Sequence, residues 1–204
     1  MKGACLPSIE LNYLGGSVDL KNHFLIAMPS MKDPFFQRSV IYICEHDSGG
    51  TMGLRINETV PISLKGMLEQ IELDNPSPIV FPQTLTQPVL NGGPVSDDRG
   101  FVLHSEKDTY TSSIRVTDEL YVTTSKDILA TLGTEEQPQK YLVALGYSGW
   151  DAGQLEQELS ENTWLTLEAD PSVIFDTPIP DRWRKAIEIL GINPANLSSE
   201  VGHA

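Results

Sequence analysis

The segment NGGPVSDDRGFVLH, residues 91–104, sets two adjacent glycines, two aspartates, an arginine and a histidine within fourteen positions. Successive amides around Gly92 and Gly93 can form a small anion-binding concavity, with Arg99 and His104 supplying positive or hydrogen-bonding groups. The spacing is neither a Walker loop nor a GxGxxG fingerprint. Pro94 removes one amide, and Asp97 and Asp98 oppose an anion. The competing reading is a strand, a Gly-Pro bend and a second strand in which Arg99 pairs with its acidic neighbours. A second group, LGYSGWD at 145–151, reads Gly-x-Ser between a strand and a helix, the way a nucleophile elbow begins. Trp150 stands where the elbow needs its second glycine, so Ser148 is expected to cap a helix; as a nucleophile it would take His104 or His46 as base.

Glu45, His46 and Asp47 could ligate a hard cation, but consecutive residues at a strand end point to opposite faces and do not converge on one ion. A solvated turn is the expectation there, and neither a metal nor a cofactor is implied. Cys44 alternates within SVIYICEH with no cation beside it to stabilise a thiolate, so it reads as a small buried hydrophobe. With Cys5 the chain has two cysteines and no CxxC pair, which argues against a disulfide framework or a zinc site and for a reducing, cytoplasmic setting. Trp150, Trp164 and Trp183 are expected to anchor the core or an interface.

The chain has 204 residues and a formal charge of −14, from 28 acidic and 14 basic side chains. Such a field repels phosphate backbones and anionic lipid. The densest basic segment, DRWRK at 181–185, reads as a solvated helix face, since three cations release too few counterions for tight binding. Direct nucleic-acid binding is therefore not expected. No apolar run approaches the roughly eighteen residues of a membrane span.

These side chains must be held by elements that the pattern suggests. FLIAMP reads as a strand stopped by Pro29, Asp33-Pro34 opens a short turn, and residues 39–46 and 51–57 form a hairpin about Gly49 and Gly50. Ser63 caps a helix whose Leu64, Met67, Leu68 and Ile71 share a face. Four prolines in 72–88 indicate a surface connection. Strands follow at 89–91, 100–104, 112–116 and 120–124, then a helix from Ser125 to Leu132 closed by Gly133. QKYLVALGYSG is the central strand, 151–162 a surface helix, and TWLTLEA and SVIFD two further strands. A last helix runs from a capping Asp181 to Gly191, with Trp183, Ala186, Ile187 and Leu190 inward. Strands without a strict βαβα rhythm suggest an α+β fold, or a mixed sheet with helices packed on it.

Four longer phrases, MPSMKDPFFQRSVIYICEHDSGGTMGLRIN, NGGPVSDDRGFVLH, GYSGWDAGQLEQELSENTWL and LGINPANLS, together resemble the YqgE/AlgH family of bacterial proteins over about residues 10–204. The departure LRINET puts Arg55 and Glu58 where the family tends toward a more apolar strand followed by Asn-Arg-Pro. The resemblance implies one domain over 1–204 with flexible ends at 1–9 and 198–204, built as a mixed, bifurcated β-sheet surrounded by helices. Some members are labelled transcriptional regulators, and the family offers no agreed catalytic set to carry over. The expectation is a non-enzymatic regulatory or binding protein acting through a protein partner or a small anionic ligand. The alternative is a hydrolase or a small-anion or nucleotide-binding protein using Gly92, Gly93, Arg99, His104 and Ser148.

Overall fold

The structure, a computed structural model, describes residues 19–73, 76–105 and 110–193. Alternation of apolar side chains builds its first layer. In β1 (His23–Ala27), Phe24 and Ile26 face one way and Leu25 and Ala27 the other, all fully buried, so this strand is covered on both sides. It pairs antiparallel with β2 (Val40–Asp47), which forms a hairpin with β3 (Gly50–Arg55). Of the two hairpin glycines only Gly50 has positive φ, at 139°. After β4 (Thr59–Ser63), α1 (Leu64–Gln70) starts where the Ser63 hydroxyl accepts the Gly66 amide. The proline-rich stretch holds a 3-10 turn at Pro82–Thr86 and leads into β5 (Pro88–Asn91). Next come β6 (Val95–Ser105), β7 (Ser113–Arg115), β8 (Leu120–Thr123) and α2 (Lys126–Thr131). The chain then enters β9 (Tyr141–Asp151) and α3 (Gln154–Ser160). It closes with β10 (Trp164–Glu168), α4 (Pro171–Phe175) and α5 (Arg182–Ile189).

The sheet runs β10-β1-β2-β3-β9-β6-β8-β7 and branches at β9. Along its first half β9 carries β6 on one edge and β5, in parallel, on the other, with Leu90 opposite Ala144 and Asn91 opposite Leu145. Beyond Gly146 that second edge passes to β3, Gly53 lying opposite Ser148 and Gly50 opposite Asp151. One parallel pair in an otherwise antiparallel sheet makes it mixed, and the shared edge makes it bifurcated, as the α+β expectation had it. Helices α4 and α5 cover one face through Val173, Ile174, Ala186 and Ile187. On the other face α3 packs Leu155 beside Trp150 and Trp164, and α1 and α2 close a third cluster over Val102 and Val143. Both indole N–H groups, of Trp150 and Trp164, donate to the same Glu158 oxygen at 2.9 and 2.7 Å, which ties α3 to the sheet.

Two expectations are corrected and one strand is added. SVIFD is helical, because Asp170 accepts the Ser172 amide as N-cap and Pro171 takes the first turn, where its missing N–H costs nothing. Residues 59–63 form an edge strand in spite of Pro61, which an edge tolerates. Strand β6 begins at Val95 and not at 100: Val95 pairs with Tyr147 and Gly100 with Leu145, so residues 96–99 bulge out. Cys5 and the tail beyond Pro194 lie outside the described residues.

The branch needs close backbone approach. A Cβ on Gly146, whose φ is +70°, would sit 2.4 Å from the Gly93 carbonyl oxygen, and one on Gly93 would sit 2.1 Å from the Tyr147 carbonyl carbon. Gly153 also has positive φ, 79°, but open space around it. Gly146→Ala is expected to cost at least about 3 kcal/mol in urea unfolding, adding backbone collision to strain, against about 1 kcal/mol for Gly153→Ala, which meets strain alone.

Candidate functional site

At the branch the Gly92 carbonyl accepts two hydrogen bonds, from the Arg55 amide at 2.9 Å and from the Ser148 hydroxyl at 3.1 Å. The Gly92 amide, one the anion concavity would need, donates to the Leu145 carbonyl at 2.8 Å. Arg55 is 5% exposed and spends Nε on the Asn91 carbonyl and Nη1 on the Phe35 carbonyl, its guanidinium 3.9 Å over the Phe35 ring. Burial lowers the pKa of this guanidinium, partly offset by Glu58. No carboxylate pairs with it among the described residues, so main-chain dipoles and an aromatic face carry the charge. Gly92, Gly93 and Ser148 thus do meet, as the splice between two strand edges. Ser148 is 1% exposed in the middle of β9, not at a helix N-terminus, which corrects the capping expectation.

His104 is elsewhere. It lies opposite Tyr141 on β9, seven residues from Ser148, which at about 3.3 Å per residue separates them by roughly 20 Å. Its ring is fully buried, stacked on Tyr121 and edge-on to Tyr110. Nδ1 lies 3.1 Å from the Ser105 carbonyl and Nε2 2.8 Å from the Thr123 hydroxyl, which is in turn 2.6 Å from the Ser113 hydroxyl. His46, the other suggested base, is engaged at both nitrogens. Nδ1 accepts the Leu20 amide at 2.9 Å and Nε2 donates to Glu156 at 3.0 Å. Its side chain is 5% exposed, so the expected solvated turn is a buried histidine flanked by exposed carboxylates. Arg99 stands exposed on the bulge. It donates to Thr124 at 3.2 Å and lies 5.8 Å over Phe101, and among the described residues it pairs with no carboxylate, in place of the expected pairing with Asp97 and Asp98.

The basic segment is also divided. Arg182 is buried, donating to the Ile56 and Thr177 carbonyls, and burial lowers its pKa to about 10. Arg184 pairs with Asp181 and Glu188. The Cys44 thiol is fully buried, which raises its pKa. Among the described residues no three His, Cys, Asp or Glu side chains converge as metal ligands, and no helix is long and apolar enough to cross a membrane.

One feature the spacing held went unread. An open cleft of about 420 Å³ lies on the sheet at the end of the β2–β3 hairpin. Its walls are Met52, Val95 and Tyr147, its floor Gly50 and Gly149, and its rim Glu45, Asp47 and Asp151. Of the residues weighed in the sequence, Gly92, Gly93, Arg99, His104 and Ser148 do not line it, whereas Glu45 and Asp47 do. Tyr147, Gly149 and Asp151 share a face by simple alternation, as do Glu45 and Asp47. The expected strand 139–149 already contains Tyr147 and Gly149, but starting a helix at 151 took Asp151 off that face.

A branched mixed sheet with helices on both faces, joined by a glycine splice, defines a fold class that known proteins share. A solution structure of the AlgH protein from Pseudomonas aeruginosa is 45% identical, with a TM-score of 0.74 over 93% of this chain and 98% of that one. A crystal structure of protein DIP2367 from Corynebacterium diphtheriae shares the fold at a TM-score of 0.63 and 21% identity, covering 87% of this chain and 89% of that one. UPF0301 proteins of Aliivibrio fischeri strain MJ11 and of Vibrio cholerae are 88% and 60% identical over 187 residues, 92% of this chain and all of each relative. Residues 24–195 match the AlgH-like family, and the chain belongs to it.

The His46 contact has a consequence in acid. Hydrogen bonds from its own backbone amide and from His46 hold the Glu156 carboxyl below the usual glutamate range. A carboxylate with a depressed folded pKa contributes stability above its unfolded value, about 4.3, and that contribution is lost as pH falls through the folded value. Glu156→Gln should therefore flatten the decline of unfolding free energy, read by urea titration, below pH ~4.3 by under about 1 kcal/mol, Glu156 being half exposed, with little change at pH 7.

Proposed function

We propose that this protein is a non-enzymatic, cytoplasmic binding protein with a regulatory role exerted through contact with another protein, and not through DNA. The observation that carries the reading is the roughly 20 Å between Ser148 and His104, each buried and hydrogen-bonded into a different part of the sheet. A dyad requires those groups within about 3 Å. The −14 charge and the division of Arg182 and Arg184 between interior and ion pairs speak against a phosphate-backbone partner. The buried, reduced Cys44 fits a cytoplasmic location. A second reading, binding of a small anion, has one feature in its favour: Arg99 on the exposed bulge without a carboxylate partner among the described residues.

Screening against ester and phosphoester substrates is expected to find no turnover, while Ser148→Ala lowers stability by about 1 kcal/mol through the lost hydrogen bond to Gly92. Turnover by the wild type that Ser148→Ala abolishes would overturn the reading. For the anion, a thermal shift with phosphate or nucleotides that disappears in Arg99→Ala supports the second reading. An Arg99→Ala protein with an unchanged response removes it.

A further inference from the structure

We propose that the cleft over Gly149 is the docking site for an arginine- or lysine-bearing segment of a protein partner; the inference rests on the binding role above and gives that partner its chemistry.

The face on which the cleft lies is covered lower down by α4 and α5 and left bare at the hairpin end, while α3 packs on the opposite side against Trp150. Two glycines form its floor for different reasons. Gly50 is required by the backbone, since a Cβ there would lie 2.4 Å from the Trp150 carbonyl oxygen. Gly149 is not. Its φ is outside the left-handed region, and the nearest atom a Cβ would meet is the edge of the Tyr147 ring, at 3.1 Å. An exposed position inside a strand ordinarily favours a branched or aromatic residue. At 149 the missing side chain leaves a trough along the strand and room for the tyrosine ring beside it.

The lining then selects the occupant. Met52, Val95, which is 38% exposed, and the half-buried Tyr147 ring, which packs T-shaped with Phe101, offer apolar contact for a hydrocarbon stem. Glu45, Asp47 and Asp151 are exposed along the rim, and among the described residues no lysine, arginine or histidine pairs with any of them. An aliphatic stem ending in a cation satisfies both halves of this surface. Nucleic acid, anionic lipid and acidic peptides are repelled by it. The volume of about 420 Å³ and the open mouth suit side chains from a strand laid across the sheet.

The test uses the full chain and a fluorescein-labelled peptide of about eight residues alternating arginine with leucine, read by anisotropy near 150 mM salt to screen long-range charge. Wild type is expected to bind it. Gly149→Val, which changes no charge, and the triple variant Glu45→Gln/Asp47→Asn/Asp151→Asn should each weaken binding by about tenfold or more. A control triple, Glu119→Gln/Glu135→Gln/Glu136→Gln, makes the same change in net charge, −14 to −11, at exposed sites away from the cleft. It should weaken binding by less than about threefold. Equal loss in the two triples would mean averaged charge alone and would overturn the proposal, as would spermidine binding in the peptide's place. A valine at 149 must displace the Tyr147 ring, so if that variant does not fold the two triples decide. Failure of wild type to bind the peptide ends this inference and leaves the binding role standing; turnover in the substrate screen ends the binding role itself.

Discussion

One edge of strand β9 has two claimants. The first half of that edge receives β5 and the second half receives β3, and the handover occurs within the two or three residues around Gly146. Backbone segments 92–93 and 146–148 must therefore approach more closely than any side chain allows, and glycine is present on both sides of the contact. The polar groups that strand pairing leaves over at such a junction need partners, since a buried unpaired carbonyl costs about 1–3 kcal/mol. Ser148 and Arg55 supply them. The Gly92 carbonyl takes a hydroxyl and an amide, and the Arg55 guanidinium draws the 28–39 loop and Asn91 to the same point.

The same logic runs through the rest of the interior. Arg182 holds the Ile56 carbonyl, Glu158 gathers two indoles, and His104 stands in a chain of hydroxyls between two tyrosines. Each is a side chain whose type suggests chemistry and which hydrogen-bonds inside the fold. Because β3 pairs with β9 beyond the branch, the β2–β3 hairpin extends past the helices that cover the sheet below. The bare face at its tip is thus a consequence of the bifurcation, and Glu45, Asp47 and Asp151 stand exposed around it.

Local pattern located most of the elements. Alternation found β1, β2 and β3; the Ser63 cap and the apolar face at 64, 67, 68 and 71 found α1; and the inward Ala186 and Ile187 found α5. It failed where one short run fits two states. SVIFD has the composition of a strand, and the N-cap and proline just before it make it a helix. It was divided at 146–149, which read both as the end of the strand QKYLVALGYSG and as a turn holding a helix-capping Ser148; the chain continues as strand to Asp151, the φ of +70° at Gly146 being absorbed by the crossing of Gly93.

The candidate site divides along the same line. That residues 91–104 and 145–151 are special places, that the net charge is −14 and that Cys44 is buried all follow from residue types and nearest neighbours, which the linear order contains. Which of those polar groups meet does not. Ser148 touches Gly92 across 56 positions, while His104, twelve positions from Gly92, lies roughly 20 Å along the sheet from Ser148. Strand register decides that, and register follows from burying both faces of the sheet at once, a condition on the whole chain that no segment carries alone.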